Sequence, residues 1–259
     1  MNHFIKMQQK LNIQKGQLGL AWTGQAGFVF VDENKIVYHI DPYLSNACSK
    51  TVGFHRMIEP PVQANQLEAD YVFITHHHKD HLDPDSIPEI YKANPAVTFL
   101  APPSCLDLFI EMNIPKDNIN VIRRGEKQRI GNLNVEAVLA IHTEDSLGYV
   151  LELNGVKLYI SGDTTYSDEL ILNEQLDLMM VCINGRLGCM NIPDATRLTA
   201  HIQPKYAIPM HIDMFKENTA NPKEFVNQVE NYSGIVKGFT MKHGKWHIYD
   251  QAFGLFFSK

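Results

Sequence analysis

His76-His77-His78-Lys79-Asp80-His81 holds five potential metal ligands in six consecutive residues. The stretch follows the apolar run Tyr71-Val72-Phe73-Ile74 and precedes Leu82-Asp83-Pro84, which predicts a loop leaving a buried strand. Neutral imidazoles and a carboxylate are ligands that suit a divalent ion such as zinc or manganese. A solvated polar turn is the alternative interpretation, whereas a purification tag would lie at a terminus and lack Asp80.

Three later apolar runs each lead into another potential ligand. They are residues 138–141 before His142, residues 156–160 before Ser161-Gly162-Asp163, and residues 206–210 before His211. Each run is typical of a buried strand, and side chains at the same ends of several strands meet at one edge of a sheet. One such histidine alone would more often be a core or surface residue, but the series predicts a metal site.

The composition is that of an ordinary globular protein, with 44% hydrophobic and 20% charged residues in a chain of 259. A net charge of −6 disfavours a nucleic-acid partner, because phosphate backbones require a basic surface. No apolar stretch has the length of a membrane span, and residues 1–10 contain no signal-peptide core. The cysteines lack metal-knuckle spacing, so we expect free, mostly buried thiols and a cytoplasmic location. They are Cys48, Cys105, Cys182 and Cys189.

The order of the predicted elements indicates an α/β fold. After strands in the first forty residues, at 19–22, 27–31 and 36–40, we expect strands at 97–101, 133–141, 147–153, 156–160, 177–183 and 206–210. Helices are expected at 84–91, 104–112, 193–201 and 222–231, the first capped by Asp83 and the second by Ser104. Residues 238–241 and 245–249 predict a final hairpin that turns at His243-Gly244. Without a linker or repeat, residues 1–259 are expected to form a single domain.

The pattern His76-x-His78-x-Asp80-His81, followed by the later His and Asp positions, resembles the metallo-β-lactamase-like hydrolase superfamily. This resemblance implies a four-layer αβ/βα sandwich with two mixed sheets flanked by helices. It also implies two divalent metal ions, Mn(II) or Zn(II). The ligands would be His76, His78 and His142 for one ion, Asp80, His81 and His211 for the other, and Asp163 bridging both.

Such a site implies a metal-dependent hydrolase. Two cations that share an aspartate also hold a water between them and lower its pKa, which supplies a hydroxide nucleophile at neutral pH. Asp80, His81 and Asp163 would therefore be the catalytic residues. Asp41 matches a superfamily position that supports the ligands from behind, although an Asp before Pro42 also commonly initiates a turn. His77 and Lys79 alternate with the ligands, so we expect both to point away from the metals, with contact to an anionic substrate as the alternative for Lys79.

Within the superfamily the chain resembles the L-ascorbate-6-phosphate lactonase-like branch, from about residue 18 to 225. The similar segments are 22–28, 40–43, 183–188 and 209–215. The branch implies a small anionic ester or lactone as substrate, most specifically a phosphorylated sugar lactone, and a homo-oligomer. Asn184 and Arg186 would contact the substrate, since a guanidinium binds phosphate bidentately. A surface loop or subunit contact is the alternative role for Arg186.

Two other functions stay open at this point. A phosphodiesterase or nuclease would use the same ligands, but the superfamily's nucleases carry RNA-gripping domains or a long exosite arm, and neither is evident here. A non-catalytic metal-bearing sensor would be favoured by a missing ligand, and every ligand position is filled.

Overall fold

The computed structural model describes residues 2–257, which contain fifteen strands and six α-helices. The strands are β1 (Gln17–Gly24), β2 (Gly27–Val31), β3 (Val37–Ile40), β4 (Tyr71–Phe73), β5 (Thr98–Ala101), β6 (Ile119–Val121), β7 (Lys127–Ile130), β8 (Leu133–Leu139), β9 (Leu147–Leu153), β10 (Val156–Ile160), β11 (Leu178–Cys182), β12 (Tyr206–Met210), β13 (Lys237–Gly238), β14 (Trp246–Asp250) and β15 (Gly254–Phe257). The helices are α1 (His3–Lys10), α2 (Ala47–Thr51), α3 (Ser86–Ala93), α4 (Leu106–Glu111), α5 (Ile192–Ile202) and α6 (Pro222–Ser233).

The strands form two mixed sheets. The first has the order β15-β14-β1-β2-β3-β4-β5-β6, and the second has the order β13-β12-β11-β10-β9-β8-β7. In the first sheet β3 to β6 run parallel, and in the second β10 to β13 run parallel, while the remaining neighbours are antiparallel. Since parallel strands end at the same edge, each sheet gathers several strand C-termini at one edge.

The core lies between the two sheets. In β2, Phe28 and Phe30 belong to the cluster shared with the second sheet, whereas Val29 and Val31 face the opposite side. This period of two follows from the alternation of side chains along a strand. Phe73 of the first sheet and Tyr149 of the second meet edge to face, with ring centroids 5.3 Å apart.

Helices cover the outer faces of both sheets. The outer cluster of the first sheet includes side chains of α1, α3 and α4, whereas α5 and α6 pack on each other and on β11 and β12. The result is helix, sheet, sheet, helix, which confirms the predicted four-layer αβ/βα sandwich.

One prediction about elements was wrong, and one helix was not predicted. The three strands expected in the first forty residues are present, but His3–Lys10 form a helix ahead of them, which begins where the Asn2 side chain accepts from the backbone N–H of Phe4. The predicted final hairpin does not form. Lys237–Gly238 pairs with β12 in the second sheet, whereas Trp246–Asp250 pairs with β1 and β15 in the first. Alternating apolar residues identify a strand but do not specify which sheet it joins.

The predicted helix caps also differ in detail. The helix after the His cluster starts at Ser86, and Asp83 accepts hydrogen bonds from the backbone N–H groups of Asp85 and Ser86 at 3.0 and 3.2 Å. Asp83 therefore lies before the helix and accepts hydrogen bonds from backbone N–H groups at its start. Ser104 caps nothing, because it lies within a short 3₁₀ turn and donates to Asp145 instead.

All four cysteines are free and buried, as predicted. None of the helices within residues 2–257 has the length and apolar character needed to cross a lipid bilayer.

Candidate metal centre

The seven predicted ligands lie together in loops that follow strands of both sheets. Residues 76–81 follow β4 of the first sheet, while His142, Asp163 and His211 follow β8, β10 and β12 of the second. Because these strands end at facing edges of the sandwich, their loops converge on one place. The ligand atoms form overlapping groups whose members lie within 4.8 Å of one another.

The first group consists of three imidazoles. Nδ1 of His78 lies 3.0 Å from Nε2 of His76 and 3.2 Å from Nε2 of His142. Two nitrogens bound tetrahedrally to one zinc ion at about 2.0–2.1 Å would lie roughly 3.3 Å apart, so these separations match ligands of one ion. We call this group the imidazole subsite.

The second group combines carboxylates and imidazoles. Oδ2 of Asp80 lies 3.7 Å from Nε2 of His81 and 3.4 Å from Nε2 of His211. Oδ2 of Asp163 lies 3.5 and 3.1 Å from the same two nitrogens, and 3.7 Å from Nε2 of His142. One oxygen of Asp163 therefore faces both groups. We call Asp80, His81 and His211 the carboxylate subsite.

The residues fit divalent metal ions on two further grounds. Nε2 of His81 and Oδ1 of Asp163 are buried, and neither has a hydrogen-bond partner within residues 2–257. A buried polar atom without a partner is costly, and a cation at these positions would satisfy both atoms. The donors are also nitrogen and oxygen atoms in the numbers that zinc and manganese accept.

The electrostatics of the two subsites differ. Burial, together with the neighbouring histidines, lowers the pKa of His76 and His78, so these imidazoles are neutral as metal ligands must be. Burial alone would also lower the pKa of His211, but Asp163 and Asp80 outweigh it and raise the value to about 10. In the same way, the histidines outweigh burial and hold the pKa of Asp163 well below its usual range. The carboxylates of Asp80 and Asp163 therefore favour positive charge in this subsite, and a metal ion would supply that charge in place of the proton on His211.

Asp41 supports this arrangement from behind. It immediately follows β3 with a backbone φ of 41°, in the left-handed region that non-glycine residues rarely adopt. Its Oδ2 lies 2.7 Å from Nδ1 of His81 and accepts from Oγ1 of Thr75 at 2.7 Å. Because the carboxylate accepts the Nδ1 proton, Nε2 of His81 is left to face the carboxylate subsite.

The ligands open onto a cavity of about 760 Å³. His77 and Lys79 both line this cavity, although neither belongs to a group of ligand atoms, so their expected orientation away from the metals stays a prediction. In this turn four consecutive residues, 77–80, line the cavity, whereas a strand would alternate its side chains. The other lining residues are Cys48, Thr51, Val52, Phe54, His78, Asp80, His142, Asp163, Leu187, His211, Phe215 and Asn218.

Neither proposed substrate contact lines the cavity. Asn184 is buried and donates to Oδ1 of Asn218 at 2.6 Å and to the carbonyl of Arg186 at 3.3 Å. Arg186 itself is exposed, and its neighbour Leu187 lines the cavity instead. Asn184 is therefore linked to the cavity only by its hydrogen bond to Asn218, which lines it. The role of Arg186 in binding the substrate stays a prediction.

The sequence interpretation missed two side chains at the centre. Cys189 lies beside His142 and Asp163, but its hydrogen bond with the Cys182 thiol and its burial raise the pKa of the Cys189 thiol, which therefore stays protonated. A protonated thiol is a poor ligand. Gln25 lies with its Nε2 2.8 Å from Oδ2 of Asp80. A polar residue in the tight turn between two mostly apolar strands was the available signal.

Comparison with known proteins agrees with this geometry. The family described as the β-lactamase superfamily domain matches residues 19–211. A UPF0173 metal-dependent hydrolase of Archaeoglobus fulgidus is 27% identical over 252 residues, covering 90% of this chain and 99% of the relative. A protein of the same description from Thermococcus onnurineus is 28% identical, covering 83% and 93%.

A solved structure extends the likeness to the fold. Igni18, a metallo hydrolase from Ignicoccus hospitalis, aligns with a TM-score of 0.71 and 22% identity over 90% of this chain and 99% of that one. At this identity the likeness concerns the fold alone, and it agrees with the sandwich and its strand-end site. The chain therefore belongs to the β-lactamase superfamily domain family, among the hydrolases of the metallo-β-lactamase fold.

Proposed function

We propose that this protein uses two divalent metal ions, Mn(II) or Zn(II), to hydrolyse a small anionic ester or lactone. The observation that carries the proposal is Oδ2 of Asp163, which lies within 3.7 Å of ligand atoms in both subsites. A shared carboxylate of this kind supports a pair of ions rather than a single one. His78, Asp80, His142, Asp163 and His211 also line the cavity, so a substrate there would reach the ions.

The side chains have separate tasks in this reaction. The imidazole subsite and the carboxylate subsite would each hold one ion, and the Asp163 carboxylate, which faces both subsites, would be shared between them. Divalent ions in such sites activate water as a nucleophile near neutral pH and polarise the carbonyl oxygen of the substrate. Asp41 keeps His81 in the tautomer that binds metal, and the buried position of these groups excludes competing solvent.

The cavity lining supports an anionic substrate with an apolar part. Lys79 is the one Lys or Arg among the lining residues, and it would meet a single negative charge. Apolar side chains form much of the remaining wall; they are Val52, Phe54, Leu187 and Phe215. A nucleic acid would require several cations along a groove, and the lining offers one. The proposal therefore favours a carboxylic ester or lactone over a polynucleotide.

A phosphorylated sugar lactone is the most specific form of this proposal. It rests on the resemblance of residues 183–188 and 209–215 to the lactonase branch. If Arg186 binds the phosphate, Arg186→Ala should raise KM for the phosphorylated substrate far more than for its unphosphorylated analogue. Lys79→Ala is the matched comparison, because Lys79 lines the cavity whereas Arg186 does not. An effect of Lys79→Ala alone would assign the charged group of the substrate to Lys79.

The decisive experiment compares substrate classes. Protein reconstituted with Mn(II) or Zn(II) is assayed against a panel of lactones and carboxylic esters, against bis-p-nitrophenyl phosphate, and against RNA. We expect hydrolysis of a lactone or ester that His142→Ala abolishes. Brisk cleavage of the phosphodiester without lactone hydrolysis would overturn the substrate class. Two bound ions without turnover of any substrate would instead favour a non-catalytic metal-bearing sensor.

A further inference from the structure

Gln25 is a fully buried side chain at the centre that no step above uses. Its Nε2 lies 2.8 Å from Oδ2 of Asp80 and 3.0 Å from Nε2 of His211. Its Oε1 is buried without a hydrogen-bond partner anywhere in the described part of the chain. A buried carboxamide with one end unsatisfied is costly, so a structural role alone does not explain its position.

The backbone around Gln25 is built to hold this side chain in place. Gln25 has a φ of 52°, and a Cβ on the preceding Gly24 would lie 2.6 Å from Cε of Met214. The carbonyl of Gln25 accepts from the backbone N–H of His211 at 3.0 Å and from Nε1 of Trp22 at 3.0 Å. The turn between β1 and β2 is therefore strained and tied to the loop that carries a predicted ligand. Strain of this kind persists mainly where it serves function.

We propose that Gln25 is a positioning residue for the metal ion of the carboxylate subsite. Its Nε2 donates to Asp80 and fixes the carboxylate in the orientation that faces His81 and His211. A hydrogen bond to a charged acceptor is among the stronger ones, and it leaves the other lone pairs of Oδ2 available for a metal ion. This inference rests on the proposed two-metal function, but it concerns ion binding and not the identity of the substrate.

An amide nitrogen has no lone pair to offer a metal, so in the observed orientation Gln25 orients Asp80 without being a ligand itself. The rival role arises if the carboxamide is reversed. Oε1 would then face the subsite and become an additional ligand. The two roles differ in what the loss of Gln25 does to the coordination number of the bound ion.

The test measures both metal dissociation constants by competition with a chelator, in the full-length protein and in Gln25→Ala and Gln25→Met. Ala keeps the Cβ and hence the same backbone strain, and Met keeps the volume while removing the donor. Both variants should weaken the ion of the carboxylate subsite about 10–100-fold, the range for loss of a hydrogen bond to a ligand, and leave the ion of the imidazole subsite unchanged. Gln8→Met is the matched control, since Gln8 is also buried and bonded to a carboxylate, that of Glu68, far from the centre.

Cobalt(II) at saturation then separates the two roles. If Gln25 positions Asp80, the visible d–d bands of the ion in the carboxylate subsite keep their energy and intensity in Gln25→Met. A change that indicates one ligand fewer would overturn the proposal in favour of coordination by Oε1. Equal weakening of both ions, no weakening of either, or fewer than two ions in the parent protein would also overturn it. Failure to hydrolyse any substrate would contradict only the proposed function.

Discussion

Asp41 contributes to the centre without lining the cavity, and it does so through the proton it accepts. Its carboxylate accepts hydrogen bonds from Nδ1–H of His81 and from the hydroxyl and the backbone N–H of Thr75. The contact sets the His81 tautomer and the geometry of the loop at the same time. The effect of a single carboxylate on a neighbouring ligand is therefore testable by a change of one atom.

Asp41→Asn should weaken the ion held by His81 by about 10–100-fold while leaving the fold intact. An amide nitrogen facing His81 would favour the tautomer with the proton on Nε2, and that proton would point into the carboxylate subsite. Metal titration measures the affinity, and circular dichroism checks that the fold is intact. Unchanged affinity for both ions would show that Asp41 only initiates the turn before Pro42.

His39 predicts a pH dependence of stability that is independent of the metal. Burial lowers its pKa to about 4, although its hydrogen bond with the carbonyl of Glu68 opposes this effect. As the pH falls, His39 therefore takes up its proton in the unfolded chain, where its pKa is near 6.5, before it does so in the folded protein. The contribution of neutral, buried His39 to the free energy of unfolding is complete above pH 6.5 and is lost as the pH falls towards 4. At about 1.4 kcal/mol per pH unit, the loss is on the order of 3 kcal/mol.

The measurement is denaturant unfolding from pH 4 to 7 with chelator present, in the parent and in His39→Gln. Gln keeps a donor for the Glu68 carbonyl but does not titrate. The free energy of unfolding of the variant should vary less across this range. Parallel curves for the two proteins would contradict the assignment.

At the scale of elements, the strand ends were predictable and their loops were not. The apolar runs before residues 76, 142, 163 and 211 identified the strands, and the direction of parallel strands then brought the ligands to one edge. The cavity wall comes from the short helix Ala47–Thr51 and from Leu187 and Phe215, which carry no periodic signal. Loop positions depend on tertiary contacts, so the substrate-facing residues were the part that sequence reasoning missed.

Asp83 illustrates how one residue fixes such a loop. It is fully buried and accepts from the backbone of Leu44 and Ser45 after β3, and from the backbone and hydroxyl of Ser86 in α3. Asp83→Ala would leave several donors unsatisfied, so we expect a loss of at least about 2 kcal/mol in the free energy of unfolding.

Urea unfolding gives this number, with Asp85→Ala as the control. Asp85 also lies at the start of α3, but its side chain is 42% exposed and makes no cap, so its loss should be small. Equal effects of the two substitutions would contradict the assigned role of Asp83.

At the scale of the whole molecule, the two sheets are joined by hydrogen bonds through the core. The hydroxyl of Tyr149 in β9 donates to the carbonyl of Ile74, directly after β4, at 2.8 Å. Ile74 lies two residues before His76, so this bond links the second sheet to the ligand loop of the first. A second bond of this kind joins Tyr249 of β14 to Asp177 before β11 at 2.8 Å.

Tyr149→Phe should therefore lower the free energy of unfolding by about 1–2 kcal/mol, because it leaves the buried carbonyl of Ile74 without this hydrogen bond. Tyr159→Phe is the matched control in the neighbouring strand. The Tyr159 hydroxyl is buried without a hydrogen-bond partner among residues 2–257, so its removal should be neutral or stabilising. Thermal or urea unfolding of the two variants checks the contrast, and similar losses for both would contradict it.

The division of the ligands between two sheets also has a consequence for the order of events during synthesis. His81 and His211 are about 130 residues apart in the chain. At roughly 5–20 residues per second, the ribosome needs on the order of 10 seconds to add the second after the first. Until then the first half exposes four histidines and an aspartate that lack their partners from the second sheet. The complete ligand set therefore exists only once the second sheet has been made, so the proposed metal ions would bind after the two sheets have come together.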